Sequence, residues 1–164
     1  MKTESTIDNW ELSQSVKCNG IVDINSFNNE SDFCDYIELN AERFCVDILE
    51  EEFVSYEREW DLNQYRVYGP RPKRVDFMFK TDKSECILVE CKNPTSAYSE
   101  LRNAVSQIMS YNITCMENFI TPERCVIVST KYHPVVGKMI KHYNLDIEFY
   151  LVSKGKLMRL KEAV

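Results

Sequence analysis

The chain has 164 residues, of which 44% are hydrophobic and 28% charged, and it carries a formal net charge of -6. That length suits one core of about 100–200 residues, and the composition is that of a soluble globular protein rather than a disordered one. The acidic balance excludes nucleic-acid affinity from bulk charge, so any such role rests on a local basic patch, on metal ions or on a partner.

Residues 1–30 show weak periodicity but hold Trp10, Leu12, Val16, Ile21, Val22, Ile24 and Phe27, too many apolar groups for a simple tail. They are read as an N-terminal extension packed on a single domain, 31–164. From Ser31, a suitable N-cap, the residues Phe33, Ile37, Ala41, Phe44, Ile48 and Leu49 recur at spacings of three and four, which predicts a helix over about 32–53. A charged stretch, 50–61, leads to a predicted strand at 64–68 that ends at Gly69 and Pro70. Two stronger β-favouring runs follow at 74–80 and 86–92, joined by 81–85 as a hairpin loop. The 3.6-residue rhythm of Leu101, Ala104, Val105, Ile108, Tyr111 and Cys115 predicts a helix over about 97–116, capped by Ser96. The continuous apolar run 125–129 suits a strand covered on both faces. A short helix at 134–143 and a strand at 145–152 complete the chain. The order helix, three strands, helix, strand, helix, strand points to an α/β fold with a mixed sheet flanked by helices.

No apolar run approaches the roughly 20 residues that cross a bilayer, and the polar, acidic start 1–10 is no secretion signal. The seven cysteines are odd in number and irregularly spaced. They read as reduced core thiols in a cytoplasmic compartment rather than as a disulfide framework.

The hairpin gathers the chemistry. With Lys83 at the centre of its loop, antiparallel register sets Asp76 opposite Glu90, and period-two alternation puts Lys92 on the same face. The other face carries Val75, Phe77, Phe79, Ile87, Val89 and Cys91, all apolar, and is the natural core side. Met78, Cys86 and Leu88 share the face of the charged cluster, so the carboxylates sit on a half-buried surface, where they are costly unless a cation compensates them. Asp76, Glu90 and the Cys91 carbonyl are oxygen donors that suit Mg²⁺ or Mn²⁺. Lys92 is placed to orient or help deprotonate a water. Zinc has weaker support, since neither Cys-x-x-Cys nor His-x-x-x-His occurs, and His133 and His142 read as surface or helix-end residues.

Val75-Asp76 followed by Glu90-Cys91-Lys92 resembles the PD-(D/E)XK nuclease signature, with Arg74-Val75 in place of its proline. The runs RVDFMFK, ILVECKNP and AVSQIMSYN are similar to the N-terminal nuclease domain of type I restriction enzyme motor subunits, over roughly 32–130. The resemblance implies a restriction-endonuclease-like core and Mg²⁺-dependent hydrolysis of DNA, in restriction, defence or mobile-element DNA processing. It also implies a Gln-x-x-x-Tyr pair near the DNA, here Gln107 and Tyr111, and a first-helix carboxylate that positions water or metal, here Glu42, with Glu38 as second choice. Those subunits continue into a motor, whereas this sequence has no phosphate-binding Gly-rich loop. A stand-alone relative, a homodimer or a component of a larger restriction or defence complex remain open.

Arg66, Arg71, Lys73 and Arg74 read equally as a phosphate-contacting edge and as a solvated turn. Tyr56, Trp60, Tyr65 and Tyr68 read as core or rim residues before base-stacking ones. Two functions stand: a metal-dependent endonuclease acting on DNA, and a catalytically inactive nuclease-fold module that binds nucleic acid or protein within a larger assembly.

Overall fold

The computed structural model describes residues 11–13, 20–62, 74–83 and 86–159, of which 11–13 and 156–159 are described by their backbone alone. The elements, in chain order, are β1 (Glu11–Ser13), β2 (Val22–Asp23), α1 (Glu30–Leu39), α2 (Ala41–Arg43) and a π-helical turn (Phe44–Ile48). There follow β3 (Phe53–Asp61), β4 (Arg74–Thr81), β5 (Cys86–Lys92), α3 (Ala97–Glu117), β6 (Arg124–Ser129), β7 (Lys131–Tyr132), α4 (Pro134–His142), β8 (Glu148–Ser153) and β9 (Lys156–Arg159).

Seven strands form one sheet in the order β1-β9-β8-β6-β5-β4-β3, and β2 pairs with β7 separately. The sheet is mixed: β3 and β5 both pair antiparallel with β4, and β6 and β8 continue from β5 in parallel. Each face is covered by helix, which divides the core in two. Phe33, Ile37 and Phe44 of the α1 side pack on Phe77, Phe79, Ile87 and Val89. Leu101, Val105 and Ile108 of α3 and Val136 and Ile140 of α4 pack on Met78, Leu88, Ile127 and Leu151. β6, between β5 and β8, is buried from Cys125 to Ser129, as its unbroken apolar run requires.

The first helix differs from its expected form. Its N-cap is Asn29, whose side chain accepts from the Asp32 amide at 2.8 Å, not Ser31. α1 ends at Leu39, where Asn40 turns its amide onto the Tyr36 carbonyl at 2.8 Å. The apolar stripe nevertheless runs on through Ala41, Phe44, Cys45, Ile48 and Leu49, all buried. The spacing of core residues therefore reads as one long helix although the hydrogen bonding changes twice along it.

The charged stretch 50–61, to which no strand was assigned, holds the edge strand β3. Its alternation is hidden in the sequence because a register shift falls between Phe53 and Ser55, and because Arg58 is paired sideways with Asp35 and Glu38, both at 2.6 Å. Charged side chains on an outermost strand discourage pairing with another chain. The strand expected at 64–68 lies outside the described residues. β9 was not expected; Lys154 and Gly155 (φ 73) make the tight turn that folds it back on β8, and glycine adopts that left-handed backbone without steric cost.

The two kinds of contact predict different losses on mutation. Ile87→Ala, at a fully buried position between the α1 side and the sheet, should cost about 2–5 kcal/mol in urea unfolding. Arg58→Ala, at a partly exposed ion pair, should cost less than about 1 kcal/mol.

Candidate active site

The hairpin β4–β5 has the register its loop implied: Phe77 faces Val89, Met78 faces Leu88, Phe79 faces Ile87 and Lys80 faces Cys86. Continued by one step, that register sets Asp76 across from Glu90, but the ladder is interrupted there. Asp76 instead accepts the Cys91 amide on its Oδ2 at 2.8 Å. The ladder with β3 also omits Asp76, and Glu59, which would stand opposite it, has a left-handed backbone (φ 51). Asp76 therefore sits at a break in the pairing on both sides, and its side chain hydrogen bonds along the sheet rather than standing off one face. The same irregularity carries Val75 into the α3-side core, whereas regular alternation placed it with Phe77. The other five residues expected on the apolar face (Phe77, Phe79, Ile87, Val89 and Cys91) all lie in the α1-side core.

Glu90 points to the α3 side and is 2% exposed. Its Oε1 is 3.0 Å from Lys92 Nζ, while its Oε2 is buried without a hydrogen-bond partner. Burial first, and the Asp76 charge second, push the Glu90 carboxyl up to about 8. Asp76 is raised too, mainly by burial, against the pull of the Cys91 amide and Lys92. Burial works against the Lys92 charge, but Glu90 and Glu30 outweigh it and hold the ammonium above its ordinary range. Two acids and one ammonium thus share a half-buried site in which burial raises both acids.

Residues that the sequence did not single out complete the site. Glu30, the first residue of α1, lies 3.9 Å from Lys92 Nζ and accepts from the Asn93 amide at 3.4 Å. Asn93 accepts in turn from Thr130 Oγ1 at 2.6 Å, and the Thr130 amide donates to the Lys92 carbonyl at 3.1 Å. These bonds fix the end of β5 where the chain leaves the sheet. The only available signal was an acidic residue in a helix's first turn, where the dipole favours it, and the boundary drawn at 30/31 cut it off.

The structure places the remaining candidates as follows. Tyr111 is buried on α3, and its hydroxyl is raised by burial and then by the charges of Glu90 and Asp76. Gln107 is exposed one turn earlier on the same helix. Glu42 is exposed on α2, and no interaction joins it to Asp76, Glu90 or Lys92; the first-helix carboxylate that reaches them is Glu30. Glu38 is engaged by Arg58 and by the Tyr56 hydroxyl. Arg74 is exposed at the start of β4, and Lys73, Arg66, Arg71, Tyr65 and Tyr68 lie outside the described residues. Trp60 is in the core. His133 caps α4 by accepting the Val135 amide on Nδ1 at 3.0 Å, and His142 ends that helix. The six described cysteines are free thiols, and no described helix is long and apolar enough to cross a membrane.

No family model matches the chain, and no curated protein matches it. Among solved structures it is similar to a repair endonuclease from Pyrococcus abyssi, with a TM-score of 0.53 and 19% identity, over 79% of this chain and 49% of that one. It is also similar, more distantly, to the protein of an EndoMS–dsDNA complex, with a TM-score of 0.42 and 16% identity, over 76% of this chain and 45% of that one. The chain thus spans about half the length of the solved proteins it matches. The first likeness shows the fold: α1, β3–β4–β5, α3 and β6, followed by α4 and β8, form a restriction-endonuclease-like core.

The raised Glu90 carboxyl sets the sign of a pH effect in metal-free protein. Between about pH 4.5 and about pH 8 the unfolded chain has released this proton and the folded one retains it. Stability should therefore fall as pH rises through that window and level off above it. Glu90→Gln, which stays neutral, should flatten that slope and exceed the parent in stability above pH 8, as read from urea midpoints in EDTA.

Proposed function

We propose that this chain is a metal-dependent nuclease that hydrolyses DNA phosphodiester bonds. The observation that carries the reading is the buried Glu90 carboxyl, raised by burial and by the Asp76 charge, next to that second acid at a strand break and a lysine 3.0 Å from Glu90 Oε1. Two acids crowded into one buried site cannot both ionise there cheaply, and a hard cation relieves that cost, so the residues fit Mg²⁺ or Mn²⁺. Asp76, Glu90 and the Cys91 carbonyl would hold it. When bound, such a cation polarises the scissile phosphate and lowers the pKa of a coordinated water.

The chain's own groups have separate tasks. Lys92 remains an ammonium, so Nζ acts by donating hydrogen bonds and positive charge to a phosphate oxygen or to the attacking water, rather than by removing a proton. Glu30 and Glu90 hold that ammonium from two sides and fix its position. The Cys91 amide does the same for Asp76. Gln107, exposed one turn from Tyr111 on α3, Arg74 at the start of β4, and Lys73, its neighbour in sequence, are the proposed contacts to the sugar-phosphate backbone. The acidic balance of the chain leaves affinity to these local groups and to the cation.

The resemblance of RVDFMFK, ILVECKNP and AVSQIMSYN to the nuclease domain of type I restriction motor subunits supports DNA as substrate, and so does the fold shared with a repair endonuclease. Action within a larger restriction or defence complex and a cytoplasmic location belong to the same proposal.

Incubation of the purified chain with circular and linear DNA in Mg²⁺, Mn²⁺ or EDTA tests the reading. Metal-dependent cutting is expected, with Asp76→Ala abolishing it and Lys92→Ala lowering it by about 10²–10⁴-fold. DNA retained but not cut would assign the chain to the inactive binding module instead. Calorimetry in buffers of different ionisation enthalpy should show proton release on Mg²⁺ or Mn²⁺ binding near pH 7, because the cation displaces the proton held by Glu90.

A further inference from the structure

Asp76 has a second set of neighbours on the other side of the strand break. Cys34, on the buried face of α1, and Cys91, on the buried face of β5, bring their sulfurs together with an Asp76 carboxylate oxygen, and the three donor atoms lie within 4.8 Å of one another. Among the described residues this is the one group of three such donors. Cys34 and Cys91 are 8% and 0% exposed. The thiols belong to different elements, brought together by the packing of α1 on the sheet, so no Cys-x-x-Cys spacing announces them.

From this geometry we infer that Cys34, Cys91 and Asp76 form a binding site for a thiophilic divalent cation of the Zn²⁺ class, distinct in ligands from the hard-cation pair Asp76–Glu90 and competing with it for Asp76. Two sulfurs and one carboxylate oxygen are a three-ligand set for tetrahedral zinc, with the fourth position left to water. The cation displaces one proton from each thiol, since a coordinating thiol is deprotonated outright, and both protons pass to solvent. Sulfur donors select this class over Mg²⁺, which takes oxygen. Entry is by way of Asp76, the only one of the three that is not buried.

The consequence follows from the shared aspartate and rests on the nuclease reading above. Drawn toward the sulfurs, the Asp76 carboxylate is withdrawn from Glu90, and the oxygen pair for Mg²⁺ is lost. A soft cation therefore switches off the hard-cation site without touching Glu90 or Lys92.

The probe is Cd²⁺ alone, added to the reduced, EDTA-treated chain and followed by its thiolate-to-cadmium ultraviolet absorption. One equivalent should bind with that absorption, Cys34→Ala should remove it, and Cys125→Ala, at a thiol outside the cluster, should keep it. Asp76→Asn should weaken Cd²⁺ binding by about tenfold or more, whereas Glu90→Gln should leave it unchanged. Urea midpoints without metal confirm that each variant folds. The proposal is overturned if the folded parent shows no such absorption, or if Cys34→Ala retains it. Because the signal is read without DNA or Mg²⁺, it stands or fails separately from cleavage. If the parent cuts DNA, equimolar Zn²⁺ should inhibit the parent and spare Cys34→Ala.

Discussion

Two carboxylates held at the end of a largely covered strand pair are the constraint on which this site depends. Glu90 is almost fully buried and Asp76 lies beside it, and neither can be charged there unless something nearby compensates. The Cys91 amide serves Asp76 and the Lys92 ammonium serves Glu90, and burial still raises both acids.

The break in the β4 ladder is the structural means by which that constraint is met. A regular strand would point Asp76 off one face and give its pairing to Glu59 and Glu90. Here Glu59 takes up a left-handed backbone, Val75 moves to the opposite core, and the Asp76 carboxylate replaces a backbone acceptor for Cys91. Strain of this kind costs about 1–3 kcal/mol per residue and persists where the surrounding packing imposes it. The surroundings are rigid: β5 lies between β4 and β6, and its last residues are tied to Thr130 and Glu30. Rigid support on one flank and irregular backbone on the other together place one aspartate between two different donor sets.

The elements around the site divide the work. α1 supplies Glu30 to Lys92 and Cys34 to the sheet's inner face, so its first two turns touch both sides of the β5 end. α3 closes the other face with Tyr111 and carries Gln107 outward. Arg124 anchors the opposite end of the sheet, with a two-point bond to Glu148 at 2.6 and 2.7 Å and a bond to the Leu49 carbonyl that holds the π-helical turn against β6. The C-terminal end of β5 thus faces the chemistry, while the N-terminal end of β6 is occupied by structural ion pairs.

By itself, the sequence determined what depends on local period and loop length. The span of β5, the start of β4, the hairpin register, α3, β6 and α4 follow from alternation, from a 3.6-residue rhythm and from a short polar loop, and they were legible to within one or two residues at most ends. The gathering of Asp76, Glu90 and Lys92 followed from that register, because neighbours across a hairpin are close in sequence. What only the tertiary structure decided depends on contacts between distant segments or on departures from regular geometry. The edge strand β3 was hidden by its charges and register shift, and Asn40 ended α1 inside an unbroken apolar stripe. Glu30, not Glu42, reached the lysine because the docking angle of α1 brings its first turn, and not the residues beyond its end, over β5. The Cys34–Cys91 contact joins a helix to a strand far along the chain, and a periodic pattern records which face each residue uses but not which residue it meets there.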